Sequence, residues 1–141
     1  MADTSAAELH LTVVTPERLV FDGFADHVVL PTHDGYIGFL PGHYPLLGIV
    51  GTGELKYIRG KDVRFMSVSG GVFEINNNHI RVLADVAESA EHIDIARAQR
   101  AFDRAKMALK SREDERDDAG QATAALNRAM SRLRVTRRVE P

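Results

Sequence analysis

The sequence predicts an N-terminal antiparallel β-sandwich, or flattened barrel, followed by a C-terminal antiparallel α-helical hairpin. In the first ninety residues, short apolar runs are each closed by Gly, Pro, Asn or Asp, a pattern typical of short strands and tight turns. After Asp94 there is no glycine until Gly120 and no proline until Pro141, and Ala and Arg dominate, as they do in helices. We place the domain boundary after residue 90, giving domains 1–90 and 91–141.

Apolar runs in the first domain are predicted as strands because each is short and bounded by turn residues. Leu9, Leu11 and Val13 also alternate with their neighbours, the two-residue period of a half-buried strand. The predicted strands are 9–14, 19–21, 27–30, 36–40, 46–50, 55–58, 63–66, 72–75 and 80–83. Turns at 59–62 and 76–78 indicate hairpins. No connection is long enough for a crossover helix, so the sheet is expected to be antiparallel.

The second domain is predicted to begin with a helix capped by Asp94. Its carboxylate can accept from the free N–H groups of the first turn, and Ile93 with Ala98 is spaced as a hydrophobic staple. The helical apolar stripe of this first helix contains Ile95, Ala98, Phe102, Ala105 and Leu109. The polar run 111–118 then interrupts the pattern. A second stripe begins near Gln121 and contains Ala122, Leu126, Ala129, Met130 and Leu133.

Both stripes are rich in alanine, so the hairpin buries little area and is expected to close weakly. The spacing leaves two arrangements open, a permanently docked helical pair and a hairpin that opens when a partner offers a better surface.

Composition limits the classes of function. The 141-residue chain has a formal net charge of −2, so a nucleic-acid partner is not expected. It has no cysteine, and its six histidines show no HxH or HExxH spacing, so no metal site is predicted. No GxSxG elbow, P-loop or dinucleotide fingerprint occurs, which predicts a non-catalytic protein. We also expect no signal peptide and no membrane helix, and membrane association only through a partner.

Four arginines on the two predicted helices suggest an anion site. Arg97 and Arg104 lie on nearly one face of the first helix, and Arg128 and Arg132 are one turn apart on the second. If the hairpin closes, their guanidinium groups can converge on one phosphate-bearing ligand. Asp94 and Glu88 could then accept hydrogen bonds from its base or ribose. The alternative is that these arginines only solvate exposed helices.

Several segments resemble the epsilon-subunit family of bacterial F-type ATP synthases, in the same order and over nearly the whole chain. They are GYIGFLPGHYPLL at 35–47 with Leu30-Pro31 before it, SGG at 69–71, VLAD at 82–85, IDIARA at 93–98 and LRV at 133–135. The resemblance implies a β-sandwich packed on the gamma subunit and the c-ring. It also implies a helical hairpin that either folds on the sandwich or extends toward the catalytic alpha and beta subunits and inhibits ATP hydrolysis. The location implied is the cytoplasmic face of the bacterial plasma membrane, reached through the complex.

The resemblance also implies site residues. Relatives that bind regulatory ATP use the motif I/L-D-x-x-R-A, so ATP is the expected regulatory ligand and no cofactor is required. The expected ATP-binding residues are Glu88, Asp94, Arg97, Ala98, Arg104, Arg128 and Arg132. The expected partner-contact loop contains Asp34, Gly35, Tyr36 and His43. Because Tyr36 stands where some relatives carry a carboxylate, a charge interaction with the c-ring is not carried over.

Two other classes of function compete with this interpretation. A freestanding nucleotide-sensing module would bind ATP without the gamma subunit. A basic helical hairpin that binds anionic lipid or nucleic acid would show strongly salt-dependent binding and no contact with gamma.

Overall fold

A computed structural model describes residues 8–111 and 116–137. Predictions that concern residues 1–7, 112–115 and 138–141 lie outside this described part. The described residues form eight strands, one 3-10 turn and two α-helices. The strands are β1 Leu9–Val14, β2 Leu19–Ala25, β3 His27–Thr32, β4 Gly35–Phe39, β5 Leu46–Ile49, β6 Thr52–Arg59, β7 Asp62–Asn76 and β8 His79–Ser89. The 3-10 turn is Ala90–His92, and the helices are α1 Ile95–Ser111 and α2 Arg116–Arg137.

The strands fold into a β-sandwich, as predicted. Neighbouring strands follow the order β2-β1-β8-β7-β6-β3-β4, and β5 pairs with β7. Alternate side chains of β1 are buried, which confirms the two-residue period read from the sequence. The core residues with no exposed surface are Leu9, Leu11, Val13, Val28, Leu30, Phe39, Leu55, Val68, Ile75, Ile80 and Val82.

Strand β7 corrects one prediction. The sequence predicted two separate strands, 63–66 and 72–75, whereas the structure has the single strand Asp62–Asn76. Gly70 and Gly71 have φ angles of +75° and +108°, which bend the strand without ending it. The first part of β7 pairs with β6 and the last part with β5, so one strand serves both layers.

Strand β1 corrects the expectation of a purely antiparallel sheet. It pairs with β2 in the antiparallel sense but with β8 in the parallel sense, from His10 opposite His79 to Val14 opposite Leu83. The expected antiparallel sheet rests only on the short connections between strands that are neighbours in sequence. Here the parallel pair is joined by the rest of the sandwich, so no crossover helix is needed.

The two helices pack together as a hairpin, and alanine fills their contact. Ala98 and Ala105 of α1 and Ala122 and Ala129 of α2 are buried, as the predicted stripes require. Ile95 was wrongly assigned to the buried stripe, because its side chain is 49% exposed. Ile93, just before the helix, is buried instead, in a cluster with Leu133 and Val135.

The start of the second helix was also predicted wrongly. The prediction placed it near Gln121, but α2 begins at Arg116 and runs through Gly120. A glycine inside a helix costs about 1 kcal/mol relative to alanine, which does not by itself end a helix. The division into domains 1–90 and 91–141 remains a prediction, and the 3-10 turn Ala90–His92 lies at that boundary.

Candidate functional site

A cavity of about 510 Å³ lies where β8 ends and the two helices face each other. All seven residues predicted to bind ATP line it, namely Glu88, Asp94, Arg97, Ala98, Arg104, Arg128 and Arg132. The closed hairpin therefore brings together residues that are more than forty positions apart in sequence. That they bind a nucleotide remains a prediction.

The first wall of the cavity is built by the beginning of α1. The Arg97 backbone N–H donates to Asp94 Oδ1 at 3.0 Å, and the Ala98 N–H donates to the Asp94 carbonyl oxygen at 2.9 Å. These bonds confirm Asp94 as the N-cap. Because the cap fixes where the helix starts, the helical period places Arg97, Ala101 and Arg104 on the cavity side.

The second wall is α2, which is held against both α1 and the sandwich. Leu133 and Val135 are buried with Ile93 and Ala98, and the partly buried rings of Phe65 and Phe102 pack against this cluster. The cluster includes strand, junction and both helices, so it sets the spacing across which Arg128 and Arg132 face α1.

An ion pair closes the end of the cavity nearest the sandwich. Arg132 Nε donates to Glu88 Oε1 at 2.7 Å, and the two side chains are only 26% and 27% exposed. This pair ties α2 to β8. Glu88 therefore already has a partner in the cavity, whereas the sequence pattern predicted its carboxylate as an acceptor for a ligand.

The electrostatics of the cavity favour a polyanion. Four guanidinium groups face two carboxylates, and the positive end of the α1 dipole lies at Asp94. Guanidinium groups bind phosphate oxygens in bidentate pairs with charge assistance. The volume also lies within the range of roughly 300–1,000 Å³ that is usual for small-molecule sites. The arrangement can hold a phosphate-bearing ligand.

Four further residues line the cavity and were not predicted: His92, Ile93, Ala101 and Ala125. Helical spacing contained a signal for the alanines, since Ala101 is one turn after Arg97 and Ala125 is one turn before Arg128. For His92 no sequence signal existed. The 3-10 turn presents it, and its Nδ1 shares a hydrogen bond with Ser89 Oγ at 2.7 Å.

The predicted partner-contact loop is divided between the two ends of β4. Asp34 and Gly35 lie at the β3–β4 turn, where Thr32 Oγ1 donates to the Gly35 carbonyl at 2.7 Å. His43 lies at the opposite end, with its ring centroid 5.0 Å from that of Phe39. The structure therefore does not bring these four predicted residues into one patch.

Tyr36, the fourth residue of that loop, points across the sandwich toward α2. Its hydroxyl donates to Glu54 Oε2 at 2.8 Å, in a groove to which Arg134 also contributes. Burial raises the pKa of Tyr36, and the hydrogen bond to Glu54 raises it further.

The outer face of the sandwich carries a row of apolar side chains that runs across five strands. Successive members pair in register: Ile49 of β5, Val72 of β7, Leu83 of β8, Val14 of β1 and Leu19 of β2. Ile49, Val72, Leu83 and Leu19 are 50–60% exposed. We call these five residues the apolar row. Such a contiguous exposed stripe is typical of a surface that is covered in an assembly.

Beside the apolar row lies a polar network centred on His10. The His10 ring stacks between those of Phe24 and His79, with centroid distances of 4.9 and 4.1 Å. His10 Nε2 hydrogen-bonds to Asp22 Oδ1. This bond lowers the pKa of the Asp22 carboxyl. Partial burial lowers the pKa of His79, and the neighbouring His10 and Arg81 lower it further.

Within the described ranges 8–111 and 116–137, no group of three or more His, Cys, Asp or Glu side chains is placed to hold a metal ion. Over the same ranges, neither helix has the length and apolarity that crossing a membrane requires.

Comparison with known proteins gives two family matches that together cover most of the chain. Residues 8–90 match "ATP synthase, Delta/Epsilon chain, beta-sandwich domain", and residues 91–137 match "ATP synthase, Delta/Epsilon chain, long alpha-helix domain".

Similar whole proteins carry the name "ATP synthase epsilon chain". The relative from Solibacter usitatus is 46% identical over 125 residues, which is 89% of this chain and 92% of the relative. Relatives from Nitratidesulfovibrio vulgaris and Synechococcus elongatus are 43% and 41% identical; each alignment covers 90% of this chain, and 94% and 93% of the respective relative.

A chain in the cryo-EM structure of the Euglena gracilis mitochondrial ATP synthase has the same fold. The TM-score is 0.76 at 20% identity, over 89% of this chain and 79% of that one. The fold, the two family matches and the sequence identities agree, and the chain belongs to the ATP synthase delta/epsilon family as an epsilon chain.

Proposed function

We propose that this non-catalytic subunit works in the rotor of the proton-translocating ATP synthase, where its sandwich docks on the gamma subunit and the c-ring and its helices restrain ATP hydrolysis. We propose further that the cavity between the helices binds ATP, without hydrolysing it, as a signal that keeps the hairpin closed. The observation that supports the second proposal is that residues of β8, α1 and α2 line one cavity with four arginines facing inward.

The closed hairpin and the ligand are coupled by geometry. Arg97 and Arg104 lie on α1, whereas Arg128 and Arg132 lie on α2, so a phosphate chain held by both pairs bridges the helices. A ligand that binds only the closed state stabilises it by RT ln(1 + [L]/Kd), roughly 1.4 kcal/mol at tenfold excess over Kd. Because the helix contact consists largely of alanine, a shift of that size moves a nearly balanced equilibrium.

Isothermal calorimetry on the full chain tests ATP binding directly. Arg97→Ala should weaken binding by about tenfold or more, since a hydrogen bond to a charged group contributes roughly 1.5–3 kcal/mol. Arg100→Ala is the matched control, because Arg100 is exposed on the same helix and does not line the cavity. Absence of binding heat for the unmutated protein at millimolar ATP would refute the nucleotide proposal.

For docking on the gamma subunit, the support is the apolar row. The row spans five strands and four of its five side chains are exposed, as is typical of a sheet surface that a partner covers. Leu83→Asp should abolish capture of the chain by the gamma subunit. Met107→Asp is the control, because Met107 is a 71% exposed apolar residue of α1. Equal capture of the two variants would show that gamma binds elsewhere.

Inhibition by the helices is tested in the assembled complex. Deleting the chain after Ala90 should raise ATP hydrolysis and preserve proton-driven synthesis, and reversing the charges of Arg128 and Arg132 should reproduce the rise. Equal hydrolysis by the intact and truncated complexes at low ATP would contradict an inhibitory role. In this proposal the chain is peripheral, held at the cytoplasmic face of the bacterial plasma membrane by the complex.

One observation weighs against a basic hairpin that binds lipid or nucleic acid in the closed state. Arg128 and Arg132 face the cavity, and Arg134 lines the groove beside Tyr36. These arginines do not form one outward basic surface. A freestanding ATP sensor would bind ATP but would not be captured by gamma.

A further inference from the structure

A buried serine of α2 is bonded to two strands of the sandwich. Ser131 is 2% exposed. Its hydroxyl donates to the Gly53 carbonyl oxygen of β6 at 2.7 Å and shares a second hydrogen bond with Ser67 Oγ of β7 at 2.8 Å. Ser67 is also buried, at 6% exposure. The helix is thus attached at one point to both strands beneath it.

This attachment is chemically different from the contacts around it. The neighbouring buried residues Ala129, Leu133 and Val135 pack by shape, and apolar surfaces tolerate small shifts of one element along another. A buried hydroxyl pair is satisfied in one register only. If α2 moves along its axis, the Ser131 hydroxyl and the Gly53 carbonyl oxygen lose their hydrogen bond. Leaving both groups buried and unpaired costs free energy.

The position of α2 along its axis also determines which of its side chains line the cavity. Arg132 follows Ser131 directly and pairs with Glu88 at 2.7 Å, and Arg128 lies three residues earlier on the cavity side. A slide of α2 that breaks the Ser131 bonds also withdraws both arginines from the residues they face on α1.

We propose that Ser131 is a positioning residue, whose hydroxyl holds α2 on the sandwich in the register that places Arg128 and Arg132 at the cavity. The inference rests on the proposed function in one respect, that the closed hairpin is the state that binds ATP. The role of Ser131 in closure itself stands on the hydrogen bonds alone. When the hairpin opens, Ser131, Ser67 and Gly53 exchange their bonds for water, so the serine sets the balance between the two states without locking either.

The experiment measures closure directly in the full chain, without nucleotide. Because the chain has no cysteine, spin labels can be attached through Lys61→Cys and Asn127→Cys, both at exposed positions on the sandwich and on α2. Pulsed electron resonance then gives the distribution of label distances, and hence the closed-to-open ratio. Ser131→Ala should lower that ratio about tenfold, the effect of losing roughly one to two buried hydrogen bonds.

Two further variants make the test specific. Ser67→Ala should have a smaller effect, and adding it to Ser131→Ala should change little, because both bonds are already lost. Ser111→Ala is the matched control, since the bond of Ser111 Oγ among the described residues stays within its own helix, where it donates to the Met107 carbonyl at 3.0 Å. It should leave the distances unchanged. The melting temperature of the sandwich should be the same in all variants, whereas general destabilisation would lower it.

Distances in Ser131→Ala that match those of the wild type would overturn the proposal. Calorimetry adds the nucleotide readout, where the apparent Kd for ATP should rise in inverse proportion to the closed fraction. An unchanged Kd in a variant shown to be open would refute positioning of the arginines. If the wild type binds no ATP, the nucleotide part of the proposed function fails, and the measured distances still decide the role of Ser131 in closure.

Discussion

Breaking the ion pair between Glu88 and Arg132 should loosen α2 from the sandwich. The pair connects α2 to the last residues of β8 across 2.7 Å, and it lies at the cavity end of the helix. Glu88→Gln keeps the shape of the side chain and removes its charge, whereas Arg132→Gln removes the opposite charge and shortens the side chain. The expected effect is on local opening of α2, because neither residue belongs to the hydrophobic core of the sandwich.

The magnitude follows from how exposed the two groups are. Exposed ion pairs contribute about 0.2–1 kcal/mol, and leaving one partner of a fully buried pair costs about 3–5 kcal/mol. At 26% and 27% exposure, the pair lies between these cases, and we expect about 2 kcal/mol, or roughly a 30-fold rise in opening. Glu88→Gln should lower the free energy of α2 opening more than Arg132→Gln does, because Glu88→Gln removes one of the two carboxylates that face four guanidinium groups.

Hydrogen exchange of α2 amides, measured by mass spectrometry, reports local opening. The control is Glu74→Gln, which breaks the pair with Arg81 at 3.1 Å on the sandwich surface, where the side chains are 43% and 50% exposed. That variant should leave α2 exchange unchanged. Exchange of α2 in Glu88→Gln equal to that of the wild type would show that the ion pair does not hold the helix. A Glu88→Gln effect below that of Arg132→Gln would refute the electrostatic account of the cavity.

Three other predictions concern the sandwich. Gly71→Ala should lower its unfolding free energy by more than about 2 kcal/mol in denaturant titration, since φ is +108° and a Cβ would collide with the Leu83 carbonyl oxygen; Gly42→Ala, at φ +91° in open space, should cost less. The pKa of His79 is depressed in the folded state, so the unfolded chain binds more protons near pH 6. Sandwich stability should therefore fall as pH drops below about 6.5, and His79→Gln should reduce that slope. A fragment of residues 1–90 should unfold cooperatively with a β-type circular dichroism spectrum, and a random-coil spectrum would contradict the two-domain division.

Features of the fold that depend on local chemistry were predictable from the sequence. Asp94 as a helix cap follows from its side chain and the helical pattern after it. The turn at Asn77 and Asn78, whose φ angles are +49° and +61°, follows from the tolerance of asparagine for this conformation. Where local signals were ambiguous, prediction failed. The apolar runs 63–66 and 72–75 looked like two strands but belong to one bent strand, and Gly120 looked like a helix boundary but lies inside α2.

The candidate site was predicted in residue identity but not in geometry. Helical spacing put the four arginines on suitable faces and suggested Asp94 and Glu88 beside them, and resemblance to the family added Ala98 and ATP as the ligand. The sequence could not predict the Glu88–Arg132 ion pair, the position of His92 or the hydrogen bonds of Ser131, because these depend on how α2 packs on the sandwich. Likewise, Tyr36 and His43 are seven residues apart in sequence. They have different neighbours because Tyr36 lies near the start of β4 and His43 lies beyond its end.

The parallel pairing of β1 with β8 has a consequence for the order in which the chain folds during synthesis. β1 cannot pair with β8, where His10 lies opposite His79, until almost the whole sandwich has left the ribosome. This pairing therefore forms late in synthesis. Contacts between such distant residues slow folding, because the long loop must close before they form. The helices are synthesised after β8, so the helical hairpin leaves the ribosome when the sandwich has just become complete. The surface on which α2 docks, formed by β6 and β7, is therefore available when α2 first appears.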